Sequence, residues 1–189
     1  MIVRDALPGE LAEVGEIRVN AYTRGGFLAP DSAYAPVLRG LGAAGEGTVL
    51  VAADGSRILG TVMLQFWPNG GQVGVGEDEA EIRALAVVPD AQGQGAGSAL
   101  LEAAISRAAG RGIRHLVLLT QPEMLGAQRL YRRAGFRRLP ERDWSPAPGR
   151  TLLAYGLPLA SSVNPLHPSV SRSEYAGGNG EDEKGSVAR

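Results

Sequence analysis

The chain has no cysteine, a single lysine (Lys184) and only two histidines, His115 and His167, among 189 residues. Without a thiol there is no disulfide, no thiolate metal site and no cysteine nucleophile. Two isolated histidines do not make a metal site. An excess of charge of either sign is also missing. Nineteen Lys and Arg against twenty Asp and Glu leave a net charge of −1, and the pI is near 6.1. Neither nucleic acid nor an anionic membrane is therefore favoured as a partner. No apolar run approaches the length of a membrane span, and the start, Met1-Ile2-Val3-Arg4-Asp5, does not read as a signal peptide. The expectation is a cytoplasmic protein. Abundant Ala, Gly, Arg and Val beside the lone lysine resemble the coding bias of a high-GC bacterium.

What is present is 44% hydrophobic content, enough for one domain with a sizeable core. Spacing predicts a short strand over Ile2 to Arg4. A helix from Pro8 to Tyr22 follows, in which Leu7, Leu11, Val14, Ile17 and Ala21 recur at helical intervals. A second short helix is expected from Ser32 to Leu41. Thr48 to Ala53 and Arg57 to Trp67 read as a hairpin turning at Asp54-Gly55. Pro68 to Asp78 reads as a flexible, Gly-rich connection. Later come a strand over Glu81 to Val88, a helix ending near Gly110 and Gly112, and a buried strand from His115 to Leu119. A helix over Pro122 to Ala134 is preceded by a Thr120-x-x-Glu123 capping box, with Gly135 at its C-cap. The loop Pro140 to Gly149 and a last strand, Thr151 to Leu157, complete the order. Hairpin strands followed by two strand–helix units predict an α/β fold: a mixed sheet with helices on both faces, in a single domain. From residue 159 to 189 the composition turns to Ser, Gly, Pro and charge, which predicts a disordered tail behind a domain of residues 1–158.

One segment carries chemistry. Gln92-Gly93-Gln94-Gly95-Ala96-Gly97 lies between the strand ending at Val88 and the helix opening at Ser98. Glycines let a backbone approach a ligand closely, and the first amides of a helix are unpaired donors at the positive end of its dipole. Such a turn receives an anion, best a phosphate or pyrophosphate. A Walker loop would need a Gly-Lys-Ser/Thr end, which is absent. A dinucleotide fingerprint would need glycines at relative positions one, three and six and an acid on the next strand, and neither is found.

The order Gln-x-x-Gly-x-Gly at the end of a strand instead resembles the coenzyme A loop of the GCN5-related N-acetyltransferases (GNAT). Leu130-Tyr131-Arg132-Arg133-Ala134-Gly135-Phe136 has the Leu-Tyr-x-x-x-Gly-Phe form that closes the cofactor site in that family. The resemblance spans roughly residues 2 to 157. It implies the GNAT fold and acetyl transfer from acetyl-CoA to a primary amine, small molecule or peptide, by direct attack in a ternary complex. The alternative is a catalytically silent acyl-CoA-binding sensor on the same fold.

The resemblance also implies roles. Gln92, Gly93, Gln94, Gly95, Ala96, Gly97 and Ser98 would hold the coenzyme, and the backbone of Leu85 and Val87 its pantetheine arm. The Leu85 amide would face the thioester oxygen. Tyr131, a phenol of pKa near 10, would return a proton to the departing thiolate; read alone, without the motif, it is rather an aromatic core residue. Strand alternation places Glu81, Arg83, Leu85 and Val87 on one face. Glu81 matches the glutamate base of histone-acetylating members; otherwise it is a charge paired with Arg83. Glu79 and Tyr22 are substitutes. Met124 stands where the family often has asparagine, so Gln121 or Gln128 would have to take over its anchoring role. One of Arg129, Arg132, Arg133, Arg137 and Arg138 would meet the 3′-phosphate. Tyr22, Phe27, Tyr34, Phe66, Trp67 and Trp144, with acidic neighbours Glu77, Asp78, Glu79 and Asp143, would form the acceptor pocket, suiting an amine with an apolar body. A homodimer is left open.

Overall fold

The computed structural model describes residues 1–69, 71–73 and 76–160. Among these residues eight strands and four α-helices follow one another as β1 (Ile2–Asp5), α1 (Leu11–Arg24), α2 (Tyr34–Gly40), β2 (Gly47–Asp54), β3 (Arg57–Phe66), β4 (Glu79–Val87), α3 (Ala96–Gly110), β5 (His115–Thr120), α4 (Leu125–Arg133), β6 (Arg137–Arg138), β7 (Trp144–Ala147) and β8 (Arg150–Pro158). The sheet order is β1-β2-β3-β4-β5-β8-β6, with β7 paired to β8. All of these pairings are antiparallel except β4 with β5, which are parallel and joined through α3.

Alternation along the central strands feeds two cores. Leu50, Ala52, Val62 and Leu64 face one side and pack with Leu100, Leu101 and Ala104 of α3 and Tyr131 of α4. Val49, Val51 and Met63 face the other and pack with Val14 and Ile17 of α1 and Leu38 of α2. Helices on both faces of a mixed sheet are the expected α/β architecture. Burial of each large aliphatic residue here contributes about 1.5–3 kcal/mol, and Val14 and Ile17 of the expected stripe are buried on the inner face of α1, whereas Leu7 precedes the helix and is exposed.

Several boundaries differ from the expectation, each for a local reason. α3 begins at Ala96, two residues early, because Gly95 turns the chain sharply with φ +90°. The capping box before α4 does not form. Thr120 is still in the sheet, opposite Leu153, its hydroxyl donates to Met124 Sδ at 3.6 Å, and α4 starts only at Leu125. The loop 140–149 contains β7, which folds back on β8 through Gly149. Leu159 still belongs to the fold, since its amide donates to the Arg114 carbonyl at 2.7 Å and its side chain packs on the core. The rest of the expected tail, 161–189, lies outside the described residues, as do residues 70, 74 and 75 of the Gly-rich connection.

Candidate active site

The turn into α3 is built to leave its amides free. Gly93 (φ +76°) and Gly95 (φ +90°) adopt left-handed conformations that L side chains rarely adopt, and a Cβ at either would meet nothing within 4 Å. The two glutamine side chains tie the loop to its own strand. Gln92 Nε2 donates to the Val87 carbonyl at 3.3 Å and Gln94 Nε2 to the Asp90 carbonyl at 2.7 Å. The amides of Gly93, Gly95, Ala96, Gly97 and Ser98 find no acceptor among the described residues. Five unpaired donors at the positive end of a fifteen-residue helix form an anion cradle.

Beside this cradle the sheet splits. The β4–β5 register stops at Ile82↔Leu118, although β5 continues two residues further along β8. At the split, Ala84 has φ +51° and the β3–β4 register shifts between Thr61 and Met63, which marks a bulge. Val88 donates to the Leu59 carbonyl at 2.9 Å, and Val87 and Ala86 lie opposite Gly60 and Thr61. Amides alternate along an antiparallel pair, so those of Leu85 and Val87 point away from β3 into the gap.

The bulge also corrects an expectation. Ile82 before it, and Leu85 and Val87 after it, pack on the α3 core, whereas Ala84 and Val88 pack on the α1 core. Glu81 and Arg83 therefore do not share a face with Leu85 and Val87. One inserted residue inverts every later side chain.

Two adjoining cavities result. One, of about 590 Å³, runs along the cradle and the open edge of β4. Leu85, Val87, Gln92, Gly93, Gly95, Gly97 and Ser98 line it, and α4 supplies Ala127, Leu130 and Arg133. Of the expected coenzyme set, Gln94 and Ala96 are not on this wall: the Gln94 side chain turns back to the loop, and Ala96 is packed in the core. The second cavity, of about 510 Å³, lies on the Glu81–Arg83 face and is lined also by Tyr34, Thr120, Trp144 and Arg150. Tyr22 and Met124 line both. The two spaces meet there, between α1 and the start of α4.

Glu81 is the carboxyl that lines these cavities. It is 1% exposed, and burial holds its pKa above the ordinary carboxylate value despite Arg83 at 3.8 Å. The Gly-rich connection contributes here. The amides of Gln72 and Val73 point at Glu81, the latter at 3.4 Å, and any side chain at Gly71 would collide with its carboxylate. Glu79 is occupied instead. It forms a forked pair with Arg142 at 2.6 and 3.0 Å, which lowers its pKa.

Tyr131 is 6% exposed and packed against Phe136 and Tyr155, with ring centroids 6.0 and 6.3 Å away. It is not among the residues lining either cavity. Burial raises its phenol pKa, with a further contribution from the Tyr22 phenol. Tyr22 itself is pushed up to about 12 by burial. Position at the junction was not legible for Tyr22, because only the fold brings α1 across the split.

Other candidates sort cleanly. Gln128 donates to the carbonyls of Gln121 and Pro122 and accepts from the Tyr155 hydroxyl, so its amide braces the start of α4. Gln121 donates to the Phe27 carbonyl at 2.9 Å. Among the five arginines, Arg133 alone lines the cradle cavity, and Arg138 is engaged by Asp143 and the Tyr155 ring. Tyr22, Tyr34 and Trp144 line the second cavity and Phe27 the first; Phe66 lies under the Arg111 guanidinium, and Trp67 is half exposed. No group of three or more metal-ligating side chains exists among the described residues.

Comparison with known proteins places this geometry. Residues 13–136 match the acetyltransferase (GNAT) family. Over 115 residues the chain is 36% identical to the mycothiol acetyltransferase of Cellulomonas flavigena, which covers 60% of this chain and 33% of the relative. The chain thus spans about a third of the length of the curated relatives it matches. In structure it resembles an acetyltransferase of the GNAT family from Staphylococcus aureus Mu50, with a TM-score of 0.67 and 17% identity, covering 84% of this chain and 99% of the other. It also resembles a GNAT superfamily phosphinothricin acetyltransferase from Sinorhizobium meliloti solved with acetyl-CoA, with a TM-score of 0.62 and 20% identity, covering 84% and 88%.

Proposed function

Because the chain belongs to the GNAT acetyltransferase family, we propose that it is an N-acetyltransferase that moves the acetyl group of acetyl-CoA to a primary amine. The observation that carries this reading is the set of unpaired amides around the start of α3, four of whose residues, Gly93, Gly95, Gly97 and Ser98, line one cavity with the open edge of β4. The cradle fits a pyrophosphate: its donors are unspent, and the Cβ positions at Gly93 and Gly95 are open. Arg133 on the same wall suits the 3′-phosphate. Bound acetyl-CoA would supply a thioester as acyl donor.

The residues then divide the work. The Leu85 amide, held in the gap by the bulge, donates to the oxygen on which negative charge grows, a contribution of a few kcal/mol. Glu81 faces the second cavity, where the acceptor sits, and takes the proton of the attacking amine directly or through water. Its raised pKa brings it nearer to that task. As the N–C bond forms and the C–S bond breaks, a phenol near the junction returns a proton to sulfur. Tyr131 would hold that role by its place in the motif, although it lines neither cavity; Tyr22, which lines both, is the phenol at the junction itself.

The second reading is the silent acyl-CoA-binding module, which the packing of Tyr131 away from both walls favours. Turnover with a panel of primary amines, followed by release of free coenzyme thiol, separates the two. Acetylation of any panel member supports the enzyme. Tight acetyl-CoA binding with no turnover across the panel supports the module.

A further inference from the structure

The acceptor cavity carries a charge opposite to the one its acidic neighbours suggest. Glu79 pairs with Arg142 at 2.6 Å, Asp143 with Arg138 at 2.8 Å and Asp78 with Arg114 at 3.2 Å. The charged residues on the cavity wall itself are Glu81, Arg83 and Arg150. Burial disfavours the ionised form of Glu81. Arg83 gives one nitrogen to Gln65 Oε1 at 2.8 Å, and Arg150 forms no ion pair among the described residues.

A third cation lies behind the wall. Arg18 of α1 is wholly buried and donates one nitrogen to the Leu41 carbonyl at 2.5 Å, while its Nε and its other Nη have no partner among the described residues. Its pKa, lowered by burial to about 10, still leaves it charged at neutral pH. Its field acts on Tyr22, Tyr34 and Arg83, all on the cavity wall. Glu46, the carboxylate that feels it, is held instead by the amides of Gly42 and Ala44. Leaving a buried guanidinium half-satisfied is costly, and Arg18 adds positive charge behind the wall that carries Tyr22, Tyr34 and Arg83.

Resting on the acetyltransferase reading, we infer that the acceptor is an amine that also bears a carboxylate, seated against Arg83 and Arg150 with the hydroxyls of Tyr22 and Tyr34 as further donors. With Glu81 in its ionised, base form, Glu81, Arg83 and Arg150 leave one net positive charge on the wall, which a carboxylate monoanion matches better than a phosphate dianion. Trp144 and Tyr34 on the same wall suit an apolar body between the two ends. The amine end then reaches Glu81 and the junction at Tyr22 and Met124.

The test uses product analogues, so that it reads binding whether or not the protein turns over. In the presence of coenzyme A, the full chain is titrated with N-acetyl-L-phenylalanine, N-acetyl-L-phenylalaninamide and N-acetyl-O-phosphoethanolamine, followed by tryptophan fluorescence and calorimetry. The free acid binds about tenfold tighter than the amide, the worth of one charge-assisted pair. Both R83Q and R150Q lose that preference while acetyl-CoA affinity stays unchanged. R150Q alters an exposed side chain, so folding is not at stake in that arm. Equal affinity for acid and amide, or no binding of either, in a protein that still binds acetyl-CoA overturns the inference and leaves the coenzyme reading intact. Tighter binding of the phosphate overturns the carboxylate assignment. Failure to bind acetyl-CoA removes the reading on which it rests, and the inference with it.

Discussion

Alanine at Gly95 separates the binding role of the cradle from its structural role, because α3 carries its own control. Gly95 (φ +90°) opens the helix and Gly112 (φ +77°) follows its other end, and a Cβ at either meets nothing within 4 Å. Each substitution therefore costs only the strain of a left-handed L residue, about 1–2 kcal/mol. For a domain of this size that lowers Tm by about 2–8 °C, and by a similar amount at both sites. The two differ in what lies outside. Gly95 is on the wall of the cradle cavity, beside the free amides of Ala96, Gly97 and Ser98. There a methyl group occupies the approach of an anion and the turn that aims the amides is disturbed. Loss of one charge-assisted donor is worth about 1.5–3 kcal/mol, so acetyl-CoA affinity falls about tenfold to a hundredfold for G95A and stays unchanged for G112A. Thermal melts and calorimetric titration of both variants decide it. Equal affinity for acetyl-CoA in the two variants would refute the argument, as would a much larger loss of stability for G95A than for G112A.

Replacement of Tyr131 by Phe lowers turnover about a hundredfold, the usual worth of a general acid, with little change in acetyl-CoA affinity; unchanged turnover at every pH removes Tyr131 from that role and leaves Tyr22 as the phenol to test. For Glu81 the active form is the carboxylate and the folded pKa is raised above 4.5, so wild-type kcat/KM climbs with pH through that higher value. E81Q is slower and lacks this acidic limb; a variant that keeps it shows that another group is titrating. Because the raised pKa makes the ionised form unfavourable in the folded protein, the stability of E81Q relative to wild type improves as pH rises past 4.5. The opposite sign applies to Glu10, whose pKa is lowered to about 2 by its forked pair with Arg4 and by the Leu7 amide. Its stabilisation is full above 4.5 and lost as pH falls towards 2, so the Tm difference between wild type and E10Q shrinks across that window; a constant difference means the pair does not couple to folding.

Much of this was legible because two kinds of signal are local. Helical periodicity over Pro8 to Tyr22 and the glycine spacing of 93–97 depend on neighbours in sequence: the first predicted a helix that the structure places at Leu11–Arg24, and the second a turn that opens a helix. A helix expected over Pro122 to Ala134 is found at Leu125–Arg133, capped by Ala134, with Gly135 in the left-handed turn that follows. What failed was non-local. The alternation rule gave Glu81 and Leu85 one face because nothing in Glu81-Ile82-Arg83-Ala84-Leu85 announces a bulge at an alanine, and the bulge exists only against β3. Thr120-x-x-Glu123 has the letters of a capping box, but pairing with Leu153 keeps Thr120 in the sheet. Asp78, Glu79 and Asp143 read only as acidic neighbours of a pocket for an amine with an apolar body; their arginine partners, up to 63 positions away, come into view with the fold. Arg18 drew no reading from the sequence; only the packing of α2, β3 and β4 around α1 shows that it is wholly buried.

The central claim is that the turn into α3 receives the pyrophosphate of acetyl-CoA. Calorimetric titration of the full chain with acetyl-CoA, beside NAD and ATP, tests it most directly. Saturable binding of acetyl-CoA at one site per chain, with NAD and ATP far weaker, is the predicted result. Equal binding of all three, or none for acetyl-CoA, contradicts the claim and takes the proposed roles of Leu85, Glu81 and Tyr131 with it.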